Sequence, residues 1–293
     1  MTRVAILGCG YIGLELGRQL TARGHEVVGV RRSPEGCESI EDAGFRSVRA
    51  DLTDPDDLAR VPDADVLVFA ASSGGRDAAA AREVYVRGLE TVLGEFSQRA
   101  DPPERLLYTS STGVYGDHDG GWVDEETEVE PTTEKTRVLR EAEEVALDSP
   151  IAGTVVRFAG LYGPDRYRLE RYLEGPVTEG YLNMIHREDA AGTVRYLIEE
   201  GLARGEVVLA VDDEPASKWD FADWLAEQCG VPEPGKETKE ERLSDPDLSE
   251  PARRRLETSK RCSNERLQEL GYEFSYPTYR EGYHEAVKAY PSR

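Results

Sequence analysis

The first thirteen residues constrain the fold more than any other part of the chain. A short apolar run ends at Leu7, the sequence Gly-Cys-Gly-Tyr-Ile-Gly occupies residues 8–13, and the apolar spacing that follows is helical. In this context Gly8 permits a tight turn, Gly10 lets a phosphate approach the backbone, and Gly13 lets the helix pack closely on the strand. The free amides at the start of this helix would attract an anion. The segment therefore predicts a cradle for the pyrophosphate of a dinucleotide.

Strand-like and helix-like segments alternate along the first half of the chain. Apolar runs end near Leu7, Val30, Ala70 and Thr109, and segments with helical spacing separate them. Such alternation with short connections predicts an α/β fold, a Rossmann-type doubly wound parallel sheet with helices on both faces. Ligands of these sheets lie beyond the carboxyl ends of the strands.

The alternation becomes irregular in the second half of the chain. We expect residues 1–157 to form a dinucleotide-binding domain. Residues 158–293 should complete the sheet and form a small C-terminal substrate lobe. Residues 77–99 and 132–147 are predicted as helices, and the charged, proline-punctuated segment 232–251 as a loop.

Two arginines follow the second predicted strand, where sites for NAD usually carry an acid. Arg31 and Arg32 could bind the 2′-phosphate of NADP, which a carboxylate would repel. This favours NADP, with NAD as the less favoured cofactor. The alternative interpretation is that both arginines are solvated surface charges.

The chain carries 58 acidic and 36 basic residues, a formal net charge of −22. This excess argues against binding to nucleic acid or to anionic membranes, because both would repel it. Only six of the bases are lysines. An ordinary acidic protein and a protein adapted to high salt both fit this composition, and we favour the second because salt screens the repulsion between carboxylates.

Other composition features concern compartment and metals. No apolar stretch approaches the roughly 20 residues that span a bilayer, and no secretory leader is predicted. The four cysteines, Cys9, Cys37, Cys229 and Cys262, lie far apart, so neither a zinc site nor a disulfide framework is predicted. We expect a cytoplasmic protein without a metal. Its partners would be a dinucleotide and a small-molecule substrate. The sequence leaves undecided whether the protein forms a homodimer.

Several segments resemble the extended short-chain dehydrogenases/reductases of the NAD(P)-dependent epimerase/dehydratase type. Besides residues 8–13, they are Asp51-Leu52, Ala70-Ala71, the block Thr109–Gly116, Arg157–Pro164 and Ile185–Ala191. The resemblance covers roughly residues 1–200. It implies an oxidoreductase, epimerase or dehydratase that acts on a sugar-like or small carbonyl substrate. The cofactor residues expected from the cradle and the resemblance together are Gly8, Gly10, Tyr11, Ile12, Gly13, Arg31, Arg32, Asp51, Leu52, Ala70 and Ala71.

The same resemblance implies that Ser111 is the catalytic serine and hydrogen-bonds the reacting substrate oxygen. The family's general acid/base belongs to a Tyr-x-x-x-Lys motif, and this motif is absent, because no lysine of the chain has a tyrosine four residues before it. Alignment by the following glutamate places Thr133 and Arg137 at the two positions. A threonine hydroxyl is too weak an acid for that role, and Arg137 could hold a ribose but cannot shuttle protons.

The missing motif leaves two interpretations open. In the first, the protein is an enzyme in which Ser111 orients the substrate while Tyr115, Tyr162, another group or water supplies the proton. In the second, it is a catalytically silent dinucleotide-binding sensor, and Tyr115 only packs in the interior. The candidate catalytic positions are thus Ser111, Tyr115, Thr133 and Arg137. A relay between His186 and Asp189 is less favoured than a helix that begins there.

Overall fold

Residues 1–74 and 77–291 are described in a computed structural model of the chain. The strands of its central sheet are β1 (Arg3–Leu7), β2 (Glu26–Arg31), β3 (Arg46–Arg49), β4 (Val66–Phe69), β5 (Arg105–Ser111), β6 (Ala152–Phe158) and β7 (Val207–Ala210). All neighbours pair in parallel, in the order β7-β6-β5-β4-β1-β2-β3. The order reverses beside β1, which places a crevice at the carboxyl end of this strand. The predicted Rossmann-type sheet is confirmed.

Helices cover both faces of the sheet and build a smaller lobe beside it. They are α1 (Tyr11–Ala22), α2 (Pro34–Asp42), α3 (Pro55–Leu58), α4 (Ala78–Arg82), α5 (Gly88–Ser97), α6 (Glu134–Leu147), α7 (Leu169–Leu173), α8 (Arg187–Glu199), α9 (Lys218–Cys229), α10 (Lys239–Leu243), α11 (Glu250–Leu256), α12 (Glu265–Glu269), α13 (Tyr279–Gly282) and α14 (His284–Lys288). A π-helical turn, Glu83–Arg87, joins α4 to α5, and a 3-10 turn, Thr112–Tyr115, follows β5. None of the helices in the described ranges has the length and apolar character needed to cross a membrane.

The core lies in two apolar layers, one on each face of the sheet. All four residues of β4 are buried, as continuous apolar strands of a covered parallel sheet must be. Helices α1 and α8 pack against each other on one face, where Leu16 and Leu197 are fully buried. Helices α5 and α6 cover the other face through Leu89 and Val138. This packing holds the carboxyl edge of the sheet in place.

The residues after β6 add β7 to the sheet and form the small lobe. An aromatic cluster at its centre includes Tyr162, Phe221, Tyr279 and Tyr283, and the Tyr162 and Tyr283 rings stack at 4.9 Å. Four two-stranded ladders complete the lobe and its surroundings: Gly160–Tyr162 with Met184–His186, Val177–Thr178 with Lys236–Glu237, Tyr181–Leu182 with Ala216–Ser217, and Trp122–Val123 with Arg261–Cys262.

Three predicted elements differ from the structure. The helix predicted over 77–99 is interrupted by the π-helical turn. The helix predicted over 132–147 begins at Glu134, because Thr133 caps it. The segment predicted as a loop contains the strand Lys236–Glu237 and helix α10, whose capping box stabilises a helix too charged for apolar periodicity to reveal.

Candidate functional site

The glycine loop between β1 and α1 is shaped for close approach of a ligand backbone. Gly8 has a φ of +81°, and a Cβ atom on it would lie 2.3 Å from the Cα atom of Ala71. A Cβ atom on Gly13 would lie 3.0 Å from Ile6. The first turn of α1 carries no acidic side chain that would repel an anion or bind the free amides, so these amides are available to bind a phosphate. These residues fit the pyrophosphate of a dinucleotide.

The structure separates the two arginines at the end of β2. The Nη1 atom of Arg31 lies 3.4 Å from the carbonyl oxygen of Cys9 and 2.9 Å from where a Cβ atom on Gly10 would stand. Its guanidinium therefore lies against the glycine loop. The side chain of Arg32 is 79% exposed, and its Nη1 atom lies 3.7 Å from Asp51 Oδ2.

The remaining predicted cofactor residues lie at the carboxyl ends of β3 and β4. Asp51 Oδ1 accepts hydrogen bonds from the amide (3.0 Å) and hydroxyl (2.8 Å) of Thr53. Burial would raise the pKa of Asp51, but the Thr53 hydrogen bonds and the charge of Arg32 outweigh burial and lower it. Leu52 is buried, and the Ala70 amide donates to the carbonyl of Leu7.

Tyr11 links the glycine loop to the small lobe, while Ile12 packs on the core. The Tyr11 hydroxyl donates to the carbonyl oxygen of Pro164 at 2.9 Å, and the Arg166 guanidinium lies 3.9 Å from the centre of the Tyr11 ring. The segment that leads into the small lobe is thus anchored beside the predicted cofactor site.

A buried charge network supports the turn after β5. Glu143 is fully buried and accepts from Ser110 Oγ (2.6 Å) and from Arg157 Nε (3.0 Å) and Nη2 (2.7 Å). Arg157 Nη1 also donates to the Tyr115 hydroxyl at 2.7 Å, and that hydroxyl donates to the Asp124 carbonyl at 2.6 Å. Tyr115 is fully buried, and burial raises the pKa of its phenol well above the ordinary value. This arrangement supports the structural interpretation of Tyr115.

Ser111 and the start of α6 lie side by side. Ser111 Oγ accepts from the Gly113 amide at 3.1 Å and caps the 3-10 turn. Thr133 Oγ1 accepts from the Thr136 amide at 3.1 Å in a capping box. A Cβ atom on Gly113 would lie 3.4 Å from Ser111 Oγ and 3.8 Å from Thr136. Arg137 is about half exposed and pairs with Glu134.

A cavity of about 1160 Å³ opens between the start of α6 and the small lobe. Gly113, Thr133 and Arg137 line one side, and Tyr162 and Tyr283 are among the residues on the other. The 3-10 turn that follows Ser111, the candidate positions Thr133 and Arg137, and Tyr162 therefore all border one cavity.

Besides Lys135 and Arg137 of α6, four cations line this cavity: Arg166, Arg168, Arg171 and Lys218. Among the side chains that the structure describes, none of the four forms an ion pair with a carboxylate. Burial and the charges of Arg171 and Lys239 lower the pKa of Lys218. The cavity is therefore positively charged inside a protein of net charge −22.

Sequence reasoning missed these four cations. The spacing of Arg166, Arg168 and Arg171, directly after the Gly163-Pro164 pair, is a pattern that could have indicated the first three. Nothing local indicates Lys218, which α9 brings in from elsewhere in the chain.

His186 and Asp189 begin α8, as predicted. His186 Nδ1 accepts from the Glu188 amide at 3.3 Å, and burial and the charge of Arg187 lower the pKa of His186 to about 4. Asp189 accepts from the amides of Ser275 (2.9 Å) and Tyr276 (2.8 Å). Over residues 1–74 and 77–291, no group of three or more His, Cys, Asp or Glu side chains could hold a metal.

Known proteins resemble this chain over most of its length. Residues 4–212 match the model of the NAD dependent epimerase/dehydratase family. The chain is 35% identical over 211 residues to Protein YeeZ of Escherichia coli strain K12, which covers 68% of this chain and 74% of YeeZ. The structure of a candidate NAD-dependent epimerase/dehydratase from Methylobacillus flagellatus is 32% identical, covers 98% of both chains and has a TM-score of 0.77. Human epimerase family protein SDR39U1 (isoform 2), solved with NADPH, is 20% identical and covers 98% of this chain and 99% of its own, a likeness of fold with a TM-score of 0.77.

Proposed function

Because the chain belongs to the NAD dependent epimerase/dehydratase family, we propose that it is an NADP-dependent oxidoreductase or epimerase acting on a small anionic, sugar-like or carbonyl compound. The observation that most supports an anionic substrate is the charge of the cavity. Its residues Arg166, Arg168, Arg171 and Lys218 have no carboxylate partner among the described side chains. Arg166, Arg168 and Arg171 are exposed to solvent and Lys218 is half-buried. Cations that line one cavity without a carboxylate partner favour a ligand that brings negative charge, such as a phosphate or carboxylate.

The family binds NAD(P), and two features of this chain and one structural neighbour support NADP here. Arg31 lies against the glycine loop, where it could contact a 2′-phosphate. No carboxylate follows Val30 at the end of β2, the position that binds the ribose in many sites for NAD. The human structural neighbour was solved with NADPH.

In this proposal, different residues of the chain bind the cofactor, orient the reacting oxygen of the substrate and hold its negative group. A dinucleotide bound here would supply or accept a hydride at the substrate carbon. Amides at the start of α1 bind its pyrophosphate. Ser111 Oγ accepts one hydrogen bond from Gly113 and keeps its proton to donate to the substrate oxygen. Arg171 and Lys218 hold the negative group of the substrate.

A second candidate is a catalytically silent sensor of the dinucleotide. One observation favours it: the side chains at the two expected acid/base positions are engaged, Thr133 in a helix cap and Arg137 with Glu134. The intact glycine loop serves both candidates equally well.

Binding and turnover experiments test the proposal. Titration with NADP and NAD should show tighter binding of NADP, and Arg31→Asp should remove the difference; equal affinity in the wild type would contradict the cofactor assignment. Carbonyl compounds with and without a phosphate or carboxylate would then be reduced with NADPH. Arg171→Ala should raise KM for the anionic compounds, while replacement of the exposed Arg46 of β3 should not.

Two results would instead favour the sensor. The first is binding of the dinucleotide without turnover of any compound in the panel. The second is a Ser111→Ala variant that behaves like the wild type in both the binding and the turnover measurements. A KM that is equal for charged and neutral compounds would contradict the role of the four cations.

The proposal also includes a cytoplasmic location and adaptation to high salt. The acid excess, the scarcity of lysine and four free cysteines support these parts.

A further inference from the structure

A tyrosine outside every motif lies at the carboxyl edge of the sheet. Tyr85 belongs to the π-helical turn between α4 and α5 and is only 8% exposed. π-Helical turns widen a helix locally and often mark functional positions. The turn packs against α6, the helix on which the Tyr-x-x-x-Lys motif is missing.

The Tyr85 hydroxyl is held by the loop that follows β4. Its oxygen lies 3.3 Å from the Ser73 amide, which donates to it, and 3.3 Å from Ser73 Oγ, with either hydroxyl able to donate. Ser73 stands two residues after Ala71, which packs on the glycine loop. The phenol is thus fixed close to the expected path of the dinucleotide by a donor that favours its ionised form.

The charges around the phenol come from three elements. Lys135 of α6 lines the cavity and acts on Tyr85 with its positive charge. From β5, the buried Tyr108 interacts electrostatically with Tyr85, and within the turn itself Glu83 and Arg87 pair with each other at 3.4 Å. Burial alone would raise the pKa of Tyr85, but the Ser73 hydrogen bonds and Lys135 outweigh it and lower the pKa below its ordinary value.

We propose that Tyr85 is the proton reservoir of the site and exchanges protons with the substrate through the Ser73 hydroxyl. This inference rests on the proposed function. Tyr85 and Lys135 would together replace the tyrosine and lysine that the motif lacks, although they stand on different elements. Ser73 would touch the substrate, and Tyr85 would act through it as a positioning residue.

The proton transfer balances as follows. When a carbonyl carbon accepts a hydride from the reduced dinucleotide, the carbonyl oxygen takes the Ser73 proton, and Ser73 takes the Tyr85 proton. Two O–H bonds break and two form, which leaves a phenolate that Lys135 and the Ser73 amide stabilise. Solvent then returns one proton to Tyr85. In the oxidation direction each transfer is reversed.

The decisive experiment needs neither cofactor nor substrate. The ultraviolet absorbance of tyrosinate would be followed against pH in the wild type and in Tyr85→Phe, which keeps the ring and removes only the hydroxyl. We expect the lowest-titrating tyrosine of the wild type to vanish in Tyr85→Phe. Lys135→Gln should move that titration to higher pH, and Lys135→Arg should restore it because the charge returns.

Tyr108→Phe is the matched control. Tyr108 is also buried at the sheet, and no hydrogen-bond partner of its hydroxyl lies among the described residues. Removal of the Tyr108 hydroxyl should leave the titration of the tyrosine with the lowest pKa unchanged. Ser73→Ala, a change in a loop, tests the same point if Tyr85→Phe does not fold, and it should raise the pKa of the remaining phenol.

Two results would overturn the inference. One is that the tyrosine with the lowest pKa still titrates in Tyr85→Phe, or that its pKa is unchanged in Lys135→Gln. The other applies once a substrate is found: a pH profile of kcat that is the same in Lys135→Gln as in the wild type. Because the titration uses the protein alone, its outcome is independent of the turnover tests of the proposed function.

Discussion

Replacing Glu143 with glutamine should destabilise the protein strongly. The change removes one negative charge and almost no volume. Glutamine can still accept from Ser110 and Arg157 Nε through its carbonyl oxygen, but its amide group would face Arg157 Nη2, which now donates to a carboxylate oxygen at 2.7 Å. The Arg157 side chain is only 3% exposed, so its charge would stay buried without a counter-charge.

The magnitude follows from this burial. Removing one partner of a buried ion pair costs about 3–5 kcal/mol. At about 2 °C per kcal/mol for a chain of this size, the melting temperature should fall by roughly 6–10 °C. Because the pair is shielded from solvent, the loss should depend little on salt concentration.

Glu141→Gln is the control on the same helix. Glu141 pairs with Arg82 at 2.5 Å, but the two side chains are 39% and 50% exposed, so the same chemical change should cost less than about 1 kcal/mol. Urea unfolding followed by circular dichroism would compare the two variants at one salt concentration. If their free energies of unfolding agree within about 1 kcal/mol, the buried network does not hold the turn as argued.

Three further predictions concern the loop, a histidine and salt. Gly8→Ala should abolish dinucleotide binding in a titration, because its Cβ atom would stand 2.3 Å from Ala71 at a φ of +81°; retained affinity would contradict the cradle. His186 has a folded pKa of about 4 against an ordinary 6.5, so it favours the folded state at neutral pH, and this contribution disappears as the pH falls. His186→Asn keeps a capping oxygen and should reduce the loss of unfolding free energy between pH 6.5 and pH 4 by roughly 2–3 kcal/mol in urea titrations. Dialysis to low salt should unfold the protein, and an unchanged circular dichroism spectrum and melting temperature would refute salt adaptation.

Much of the fold could be predicted because its evidence is local. The run that ends at Leu7, the glycines of residues 8–13 and the alternating segments each depend on neighbours in sequence, and they indicated the parallel sheet correctly. Element ends were less predictable. The start of α6 depends on the Thr133 capping bond, and the π-helical turn leaves no mark in the apolar spacing.

The site was predictable only in part. Arg31 and Arg32 look equivalent in the sequence, yet the packing of β2 beside the glycine loop turns one inward and leaves the other exposed. Tyr115 lies in a block that suggests chemistry, but Arg157 and Glu143 hold it in the interior. Both outcomes depend on contacts between separate strands and helices.

The sequence by itself determined the dinucleotide fold, the glycine cradle and the absence of a Tyr-x-x-x-Lys pair, since each is a statement about residues a few positions apart. Only the tertiary structure decided which charges meet. It brought Lys218 to Arg171, and it placed Tyr85 in hydrogen-bond contact with Ser73 and within the electrostatic influence of Lys135, which is fifty residues further along the chain. The physical reason is that electrostatic and hydrogen-bond energies depend on distance and burial in space, which sequence separation does not reveal.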